Sequence, residues 1–176
     1  RFCQIPAFGM TIHRFLGNPS EMKKLAACNP EDLLQAAIPV FEGLFEDEHS
    51  DWLSKLLYQL AEWHALAKLC LHSEAMLEWL ETTTKEVGIM MWAFRDKSAS
   101  RFDTVEIPHE QDARARHQAN ALSQQPQSQM QVPSANQATR KTQTLNLFTY
   151  KFHAMGDYVS FIHLFGTTDN YSMQIV

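Results

Sequence analysis

The residue types best suited to chemistry lie in the four residues Ala61–His64, which read AEWH. A glutamate beside a histidine would suit a metal-binding helix, but side chains two positions apart on a helix differ by about 200° and point to opposite faces. The zincin pattern also requires a second histidine four residues after the first, and position 68 is a lysine. The favoured interpretation is therefore that Glu62 is a surface acid or an ion-pair partner and that His64 is a core histidine bonded to a neighbour's backbone. No metal ligand is predicted.

The remaining histidines do not have metal-ligand spacing. His64 and His72 share a helical row, but two turns separate them by about 12 Å, which is too far for one zinc ion. His153 and Asp157 lie four residues apart and could form a pair in which the carboxylate orients the imidazole. No nucleophile accompanies them, so a surface contact between successive helical turns is the favoured interpretation. The sequence also has no phosphate loop or dinucleotide fingerprint, so no cofactor is predicted.

Composition narrows the class of protein. The chain has 176 residues, a net charge of −5 and a hydrophobic fraction of 45%, which provides enough apolar side chains for a core and no overall basic field for nucleic acid. Cys3, Cys28 and Cys70 form no zinc pattern, so we expect an intracellular, reducing setting with Cys70 buried in a helix. No segment is long and apolar enough to predict a membrane contact, and no small-molecule ligand is evident.

Helical periodicity dominates the sequence. The central helix is predicted over Ser50–His72 with Ser50 as its N-cap, between a helix over Pro30–Phe45 that Pro39 should kink and a third over Ser73–Asp96. A last helix is predicted over 148–165, ending at Gly166. The fold class is therefore mainly α, a small bundle of about four helices. The predicted core positions are Trp52, Leu57, Leu60, Trp63, His64, Phe152 and Val159.

A polar stretch divides the predicted bundle. We expect a helical body with an irregular N-terminal arm over residues 1–107, a polar linker over 108–143, and a C-terminal helix over 144–176 that packs back on the body. Residues 109–122 could form a short exposed helix, whereas 123–143 are rich in Gln, Ser and Pro and are predicted to be disordered. A plain tether is the favoured interpretation of this linker, and a binding tail is the alternative.

Two stretches resemble a known family. The first runs from FCQIPAFGMTIHRFLGN through AIPVFEGLF to LAEWHALAKLCLHS, and the second is YKFHAMGDYVSFIHLFGTTDNYSMQ. Both resemble the C-terminal region of transposon-encoded proteins of fungi, the Plavaka and Kyakuja-Dileera-Zisupton transposases related to the CACTA superfamily. The resemblance implies a nuclear protein whose partners are DNA and other transposase domains. It also implies cut-and-paste chemistry by an RNase H-like domain with divalent metal, located mainly upstream of this region. Within that resemblance, Glu62 in the AEWH block is the one acid nominated as a candidate catalytic residue.

Three hypotheses about function follow. The first is a helical C-terminal fragment of a transposase-like protein, not catalytic on its own, that supports assembly or DNA handling; the GELEHR-like motif that follows in relatives is missing here, which favours a fragment. The second is a domesticated helical interaction module that binds partners through its Trp- and Met-bearing face, which predicts an exposed apolar patch. The third is part of a metal-dependent nuclease, in which Glu62 would be joined by acids from Asp51, Glu74, Asp157 or Asp169.

Overall fold

The computed structural model describes residues 1–9, 12–15, 19, 29–123 and 140–168, and within these ranges the chain is helical and forms no β-strand. The helices are α1 (Asn29–Phe41), α2 (Asp47–Ala67), α3 (Glu74–Ala93), α4 (Pro108–Ser123), α5 (Tyr150–His153) and α6 (Tyr158–Phe165). This confirms the mainly α class with a small helical bundle. None of the helices in the described ranges is long and apolar enough to cross a membrane.

The chain divides into two compact units, each with its own internal contacts. The first unit comprises Arg1–Asp96 together with Leu147–Val176, and the second comprises Lys97–Asn146. The predicted boundary at 107/108 therefore lies inside the second unit. The predicted return of the C-terminal segment to the helical body corresponds to its membership of the first unit.

The central helix α2 is shifted relative to its prediction. It begins at Asp47 rather than Ser50, whose backbone N–H already donates to Glu46 O at 2.9 Å as an interior residue of the helix. At the other end the backbone tightens after Ala67, where Leu69 N–H donates to Leu66 O at 3.3 Å in a three-residue step. His72 Nε2 lies 2.9 Å from the same Leu66 oxygen and so terminates the helix.

Two burial predictions beyond the end of α2 are wrong as a consequence. The prediction placed Cys70 and Leu71 on the helix, but both follow its last residue in the connection to α3, and both are exposed. Helical spacing places Cys70 and Leu71 on the buried face only if α2 continues to residue 72. Because α2 ends at Ala67, that face does not extend to these two residues.

The third helix supplies the most deeply buried side chains of the core. Ser73 caps its start by accepting the backbone N–H of Met76 at 3.4 Å, as expected from an N-cap serine. Its buried residues are Leu77, Leu80, Thr83 and Val87. Met76, the residue before Leu77, is 39% exposed, because Leu77 takes the inward position in that turn.

Helix α1 passes through Pro39 and ends two residues later at Phe41, followed by a turn at Gly43 with φ 61°. It therefore stops short of the predicted end at residue 45. The N-terminal arm packs on it through Phe2, whose ring makes edge contacts with Phe15 and Phe41 at centroid distances of 5.9 and 6.4 Å. The Asp32 carboxylate, 2% exposed, accepts the backbone N–H of His13 at 3.2 Å and so ties the arm to α1.

The C-terminal helix predicted over 148–165 is divided into three segments. Helix α5 gives way to a 3-10 turn over Ala154–Asp157 before α6 begins, and Gly166 ends α6 with φ 84°, as predicted. Ile162 of α6 enters the core cluster of the first unit, whose other buried members are Trp63, Leu66, Ala67, Leu77, Leu80 and Val87. This packing buries only part of the apolar surface of α6.

The second unit is organised around one carboxylate. Glu106, 5% exposed, accepts three hydrogen bonds from the Arg114 guanidinium at 2.8 to 3.2 Å and the backbone N–H of Lys141 at 3.1 Å. Val105 and Thr142 form an isolated antiparallel bridge beside it. The short helix expected over 109–122 is confirmed as α4, whereas most of the stretch predicted to be disordered, 124–139, lies outside the described residues.

Candidate interaction surface

The acids of the described chain do not assemble into a metal site. Within residues 1–9, 12–15, 19, 29–123 and 140–168 there is no group of three or more His, Cys, Asp or Glu side chains that could hold a metal ion. Glu62 lies half-buried on α2, and the convergence of Asp51, Glu74 or Asp157 on it, which the nuclease hypothesis requires, is not found there. Asp169, the remaining acid of that hypothesis, lies outside the described residues.

His64 takes part in an ion cluster between two helices. It is half-buried, and its Nε2 lies 3.7 Å from Glu31 Oε1 on α1, an oxygen that also accepts Lys68 Nζ at 2.7 Å. The pKa of His64 is lowered chiefly by burial; Glu31 acts to raise it and Lys68 to lower it further. The imidazole is therefore neutral at pH 7. It faces the Glu31 carboxylate, whereas the sequence predicts a bond to a neighbouring backbone group.

The other predicted pair stays at the surface. His153 ends α5 and Asp157 ends the following 3-10 turn, and both side chains are exposed, as predicted. No general-base arrangement is built around them in the part of the chain that the structure describes, since neither has a hydrogen bond to a candidate nucleophile there.

Burial of the predicted core positions varies. Trp63 is buried, at 9% exposed, and its Nε1–H donates to Thr84 Oγ1 at 2.8 Å. The other predicted positions are half-buried: Trp52, Leu57, Leu60, His64, Phe152 and Val159. Leu60 and Val159 pack against the core cluster, and Phe152 contacts the Trp92 ring at 6.3 Å.

An apolar stripe on α6 is largely exposed on the surface of the described structure. Phe161, Leu164 and Phe165 are 41%, 72% and 62% exposed. Their spacing of three and four residues places them on one face of α6, and the Phe161 and Phe165 rings lie 6.0 Å apart. The sequence of α6, YVSFIHLF, contains no Asp, Glu, Lys or Arg. We call Phe161, Leu164 and Phe165 the α6 stripe.

The scaffold behind the α6 stripe is well anchored. Ile162, between the stripe residues in sequence, is 6% exposed in the core, and the Tyr158 ring packs edge-on against Trp63 at 4.9 Å. After Gly166, the Thr168 hydroxyl donates to Ala67 O at 3.1 Å, which satisfies a carbonyl at the C-terminus of α2. The stripe is therefore presented by a helix whose opposite side and C-terminal end are both fixed.

Sequence reasoning missed the α6 stripe. Phe161, Leu164 and Phe165 are not among the predicted core positions, and no surface role is predicted for them from the sequence. The signal that could have revealed them is the apolar circumference of YVSFIHLF, which exceeds what one contact with a helical body can cover.

The comparisons with known proteins identify no relative. No protein-family model matches the chain, and no curated protein or solved structure matches it either. The resemblance to fungal transposases therefore stays a prediction from the sequence blocks themselves.

Proposed function

We propose that this chain is a non-catalytic helical assembly domain of a transposase-like, mobile-element-derived protein, and that the α6 stripe is its contact surface for another domain of that protein. The observation that supports this proposal is the exposure of the apolar stripe on an anchored helix, because contiguous exposed apolar side chains are typical of protein contacts. The stripe also lies inside the second block on which the transposase resemblance rests. Catalysis and divalent metal would belong to the RNase H-like domain of the intact protein.

Charge favours a protein partner for this domain over direct DNA contact. The chain carries a net charge of −5, and DNA binding draws its affinity from cations that neutralise phosphates. Several basic side chains that the structure describes are already paired with carboxylates: Lys68, Lys85, Arg95 and Arg114. A role in DNA handling would therefore be indirect, through assembly of the domains that do contact DNA in the nucleus.

The test is association with the RNase H-like region of an intact element that carries the same two sequence blocks. We expect the two purified proteins to bind, and Leu164→Lys to weaken binding at least tenfold, since a buried lysine in an apolar contact has no partner. Phe8→Lys is the matched control, because Phe8 is 75% exposed on the N-terminal arm and outside the stripe. Absence of binding, or equal weakening by both variants, would contradict the proposal.

The same stripe also supports the alternative of a domesticated interaction module. That alternative predicts no association with the transposase region, together with a defined host partner whose binding Leu164→Lys abolishes.

Calorimetry with Mn²⁺ tests the nuclease alternative. Binding that disappears in Glu62→Ala would support a catalytic role for Glu62, and absence of heat would leave the assembly function.

A further inference from the structure

A groove of about 530 Å³ lies among α1, α2 and α3, away from the residues of the α6 stripe. Its lining residues are Ile38 from α1, Ser54, Lys55, Tyr58 and Gln59 from α2, and Met90 from α3. The groove is largely open to solvent, so a bound ligand would be covered on one side only. The groove is nevertheless large enough for a compact ligand.

One wall of the groove carries polar groups that have no protein partner among the described residues; Ser54 is half-buried, and Lys55 and Tyr58 are exposed. Ser54 and Tyr58 lie four residues apart on α2, and Lys55 and Tyr58 lie three apart, so the three side chains are neighbours on one helical face. Within the described ranges, no hydrogen bond or ion pair engages Ser54 Oγ, Lys55 Nζ or the Tyr58 hydroxyl. These groups supply two hydroxyl donors and one ammonium at a single edge of the groove.

The rest of the lining is apolar or fixed. Ile38 and Met90 contribute half-buried apolar side chains from the two neighbouring helices. A methionine adapts its shape readily to an apolar ligand because its side chain is unbranched and flexible. The Gln59 amide is already engaged, because it donates to Glu86 Oε2 at 3.0 Å. Lys55 is the charged residue among those that line the groove.

We infer that this groove binds a small amphipathic monocarboxylate. Its apolar chain lies against Ile38 and Met90, and its carboxylate accepts hydrogen bonds from Lys55 Nζ and the Tyr58 hydroxyl. One ammonium matches a head group of one negative charge, and the net charge of −5 disfavours a more highly charged anion such as a phosphate dianion. This site is separate from the proposed assembly surface and does not depend on it.

The test is an NMR titration of the full chain, labelled at isoleucine and methionine methyl groups, with decanoate below its micelle concentration. We expect the Ile38 and Met90 methyl signals to shift. Lys55→Gln should weaken binding by roughly fivefold or more, the loss typical of one charged hydrogen bond. Lys151→Gln is the matched control, since Lys151 is an exposed lysine on α5 and does not line the groove. Decyltrimethylammonium, which has the same chain and a positive head, should bind more weakly than decanoate.

Three results would overturn the inference. Equal binding of decanoate and decyltrimethylammonium would remove the role of charge, and shifts confined to residues outside the groove would place the ligand elsewhere. Equal affinity of Lys55→Gln and Lys151→Gln would show that Lys55 does not hold the carboxylate. Should Lys55→Gln fail to fold, Tyr58→Phe replaces it, with a weaker but measurable loss expected from the missing hydroxyl.

Discussion

The two units of this chain are stabilised by different physics. In the first unit, Leu80 and Val87 are 0% exposed and Thr83 is 1% exposed, within a cluster of apolar side chains from α2, α3 and α6. In the second unit, the principal buried group is the carboxylate of Glu106, held by Arg114 and by the backbone of Lys141. Apolar burial stabilises in proportion to area and without direction, whereas a buried carboxylate stabilises only while every donor stays in place.

This difference predicts different sensitivities. The first unit should respond to changes in side-chain volume, because its core is close-packed and a lost methyl group leaves a cavity. The second unit should respond to loss of a charge at constant volume and to acid, since its central group is ionised.

The largest effect is expected for Leu80→Ala. Leu80 is fully buried at the centre of the first unit, so truncation should lower the free energy of unfolding by about 2–5 kcal/mol. Urea unfolding followed by far-ultraviolet circular dichroism measures the change. Leu164→Ala is the matched control, because Leu164 is 72% exposed and its truncation should change stability by less than about 0.5 kcal/mol. Similar losses in both variants would contradict the assignment of the core.

Thr84→Ala should lower the free energy of unfolding by less than Leu80→Ala does. Thr84 Oγ1 accepts the Trp63 Nε1–H at 2.8 Å and donates to Leu80 O at 2.7 Å, so its removal leaves a buried indole N–H without an acceptor. We expect a loss of about 1–3 kcal/mol in the free energy of unfolding. Thr82→Ala is the control, since Thr82 is exposed and its hydroxyl donates only to Glu78 O. Equal effects of the two variants would show that the Trp63 bond is not formed.

Much of the first unit could be predicted from the sequence. The inner row Leu80, Thr83 and Val87 follows directly from helical spacing, and Ser73 and Gly166 act as the cap and the stop that their residue types favour. Several errors fall at helix ends, and another is the 3-10 turn over Ala154–Asp157 that interrupts the predicted last helix. The C-terminus of α2 depends on His72 reaching back to Leu66 O, a contact that spacing within one helix cannot reveal.

The second unit and the candidate surfaces were less accessible to sequence reasoning. Glu106 and Lys141 lie 35 residues apart, so their pairing depends on how the chain returns after α4, and no local pattern encodes it. The α6 stripe is exposed because the first unit covers only the Ile162 side of α6, and helical spacing does not encode how much of a helix is covered. The groove depends on the relative placement of three helices, whose lining residues are ordinary in the sequence.

Glu106→Gln should loosen the second unit without unfolding the first. The Arg114 hydrogen bonds, followed by the bond from Lys141 N–H, lower the pKa of Glu106 below its ordinary value. The neutral amide of Gln keeps the volume but loses the charge, so the hydrogen-exchange protection of the Lys141 amide should fall markedly. Glu110→Gln is the matched control: Glu110 is exposed on α4 and accepts only the Ile107 N–H.

Acid should have the same effect as Glu106→Gln on the second unit. Because the folded-state pKa is depressed, the stabilisation by Glu106 is present above its ordinary pKa and is lost as the pH falls through the lowered value. Protection of the Lys141 amide, corrected for the intrinsic exchange rate, should therefore decline in that acidic range. Protection that is unchanged there, or a decline with pH in Glu106→Gln as large as in the wild type, would show that Glu106 does not hold the unit together.

The smallest effect on the free energy of unfolding is expected from the titration of His64. This residue lies with Glu31 and Lys68 in a charged cluster of the first unit. Burial lowers the pKa of His64 below 6.5, against the opposing influence of Glu31. The unfolded chain therefore binds the proton more tightly, so the contribution is fully present above pH 6.5 and is lost as the pH falls towards the folded-state value. NMR titration of the ring should give a midpoint below 6.5. Glu31→Gln should lower that midpoint further, and Lys68→Gln should raise it.

A wild-type midpoint at or above 6.5 would contradict the burial of His64, and a fall in Lys68→Gln would contradict its geometry. The comparison between the units predicts that this titration changes overall stability only slightly. The His64 cluster lies at the margin of a core held by Leu80 and Val87, whose packing does not titrate, whereas Glu106 lies at the centre of its unit. A titrating group thus controls a unit only where the apolar core is not the principal source of stability.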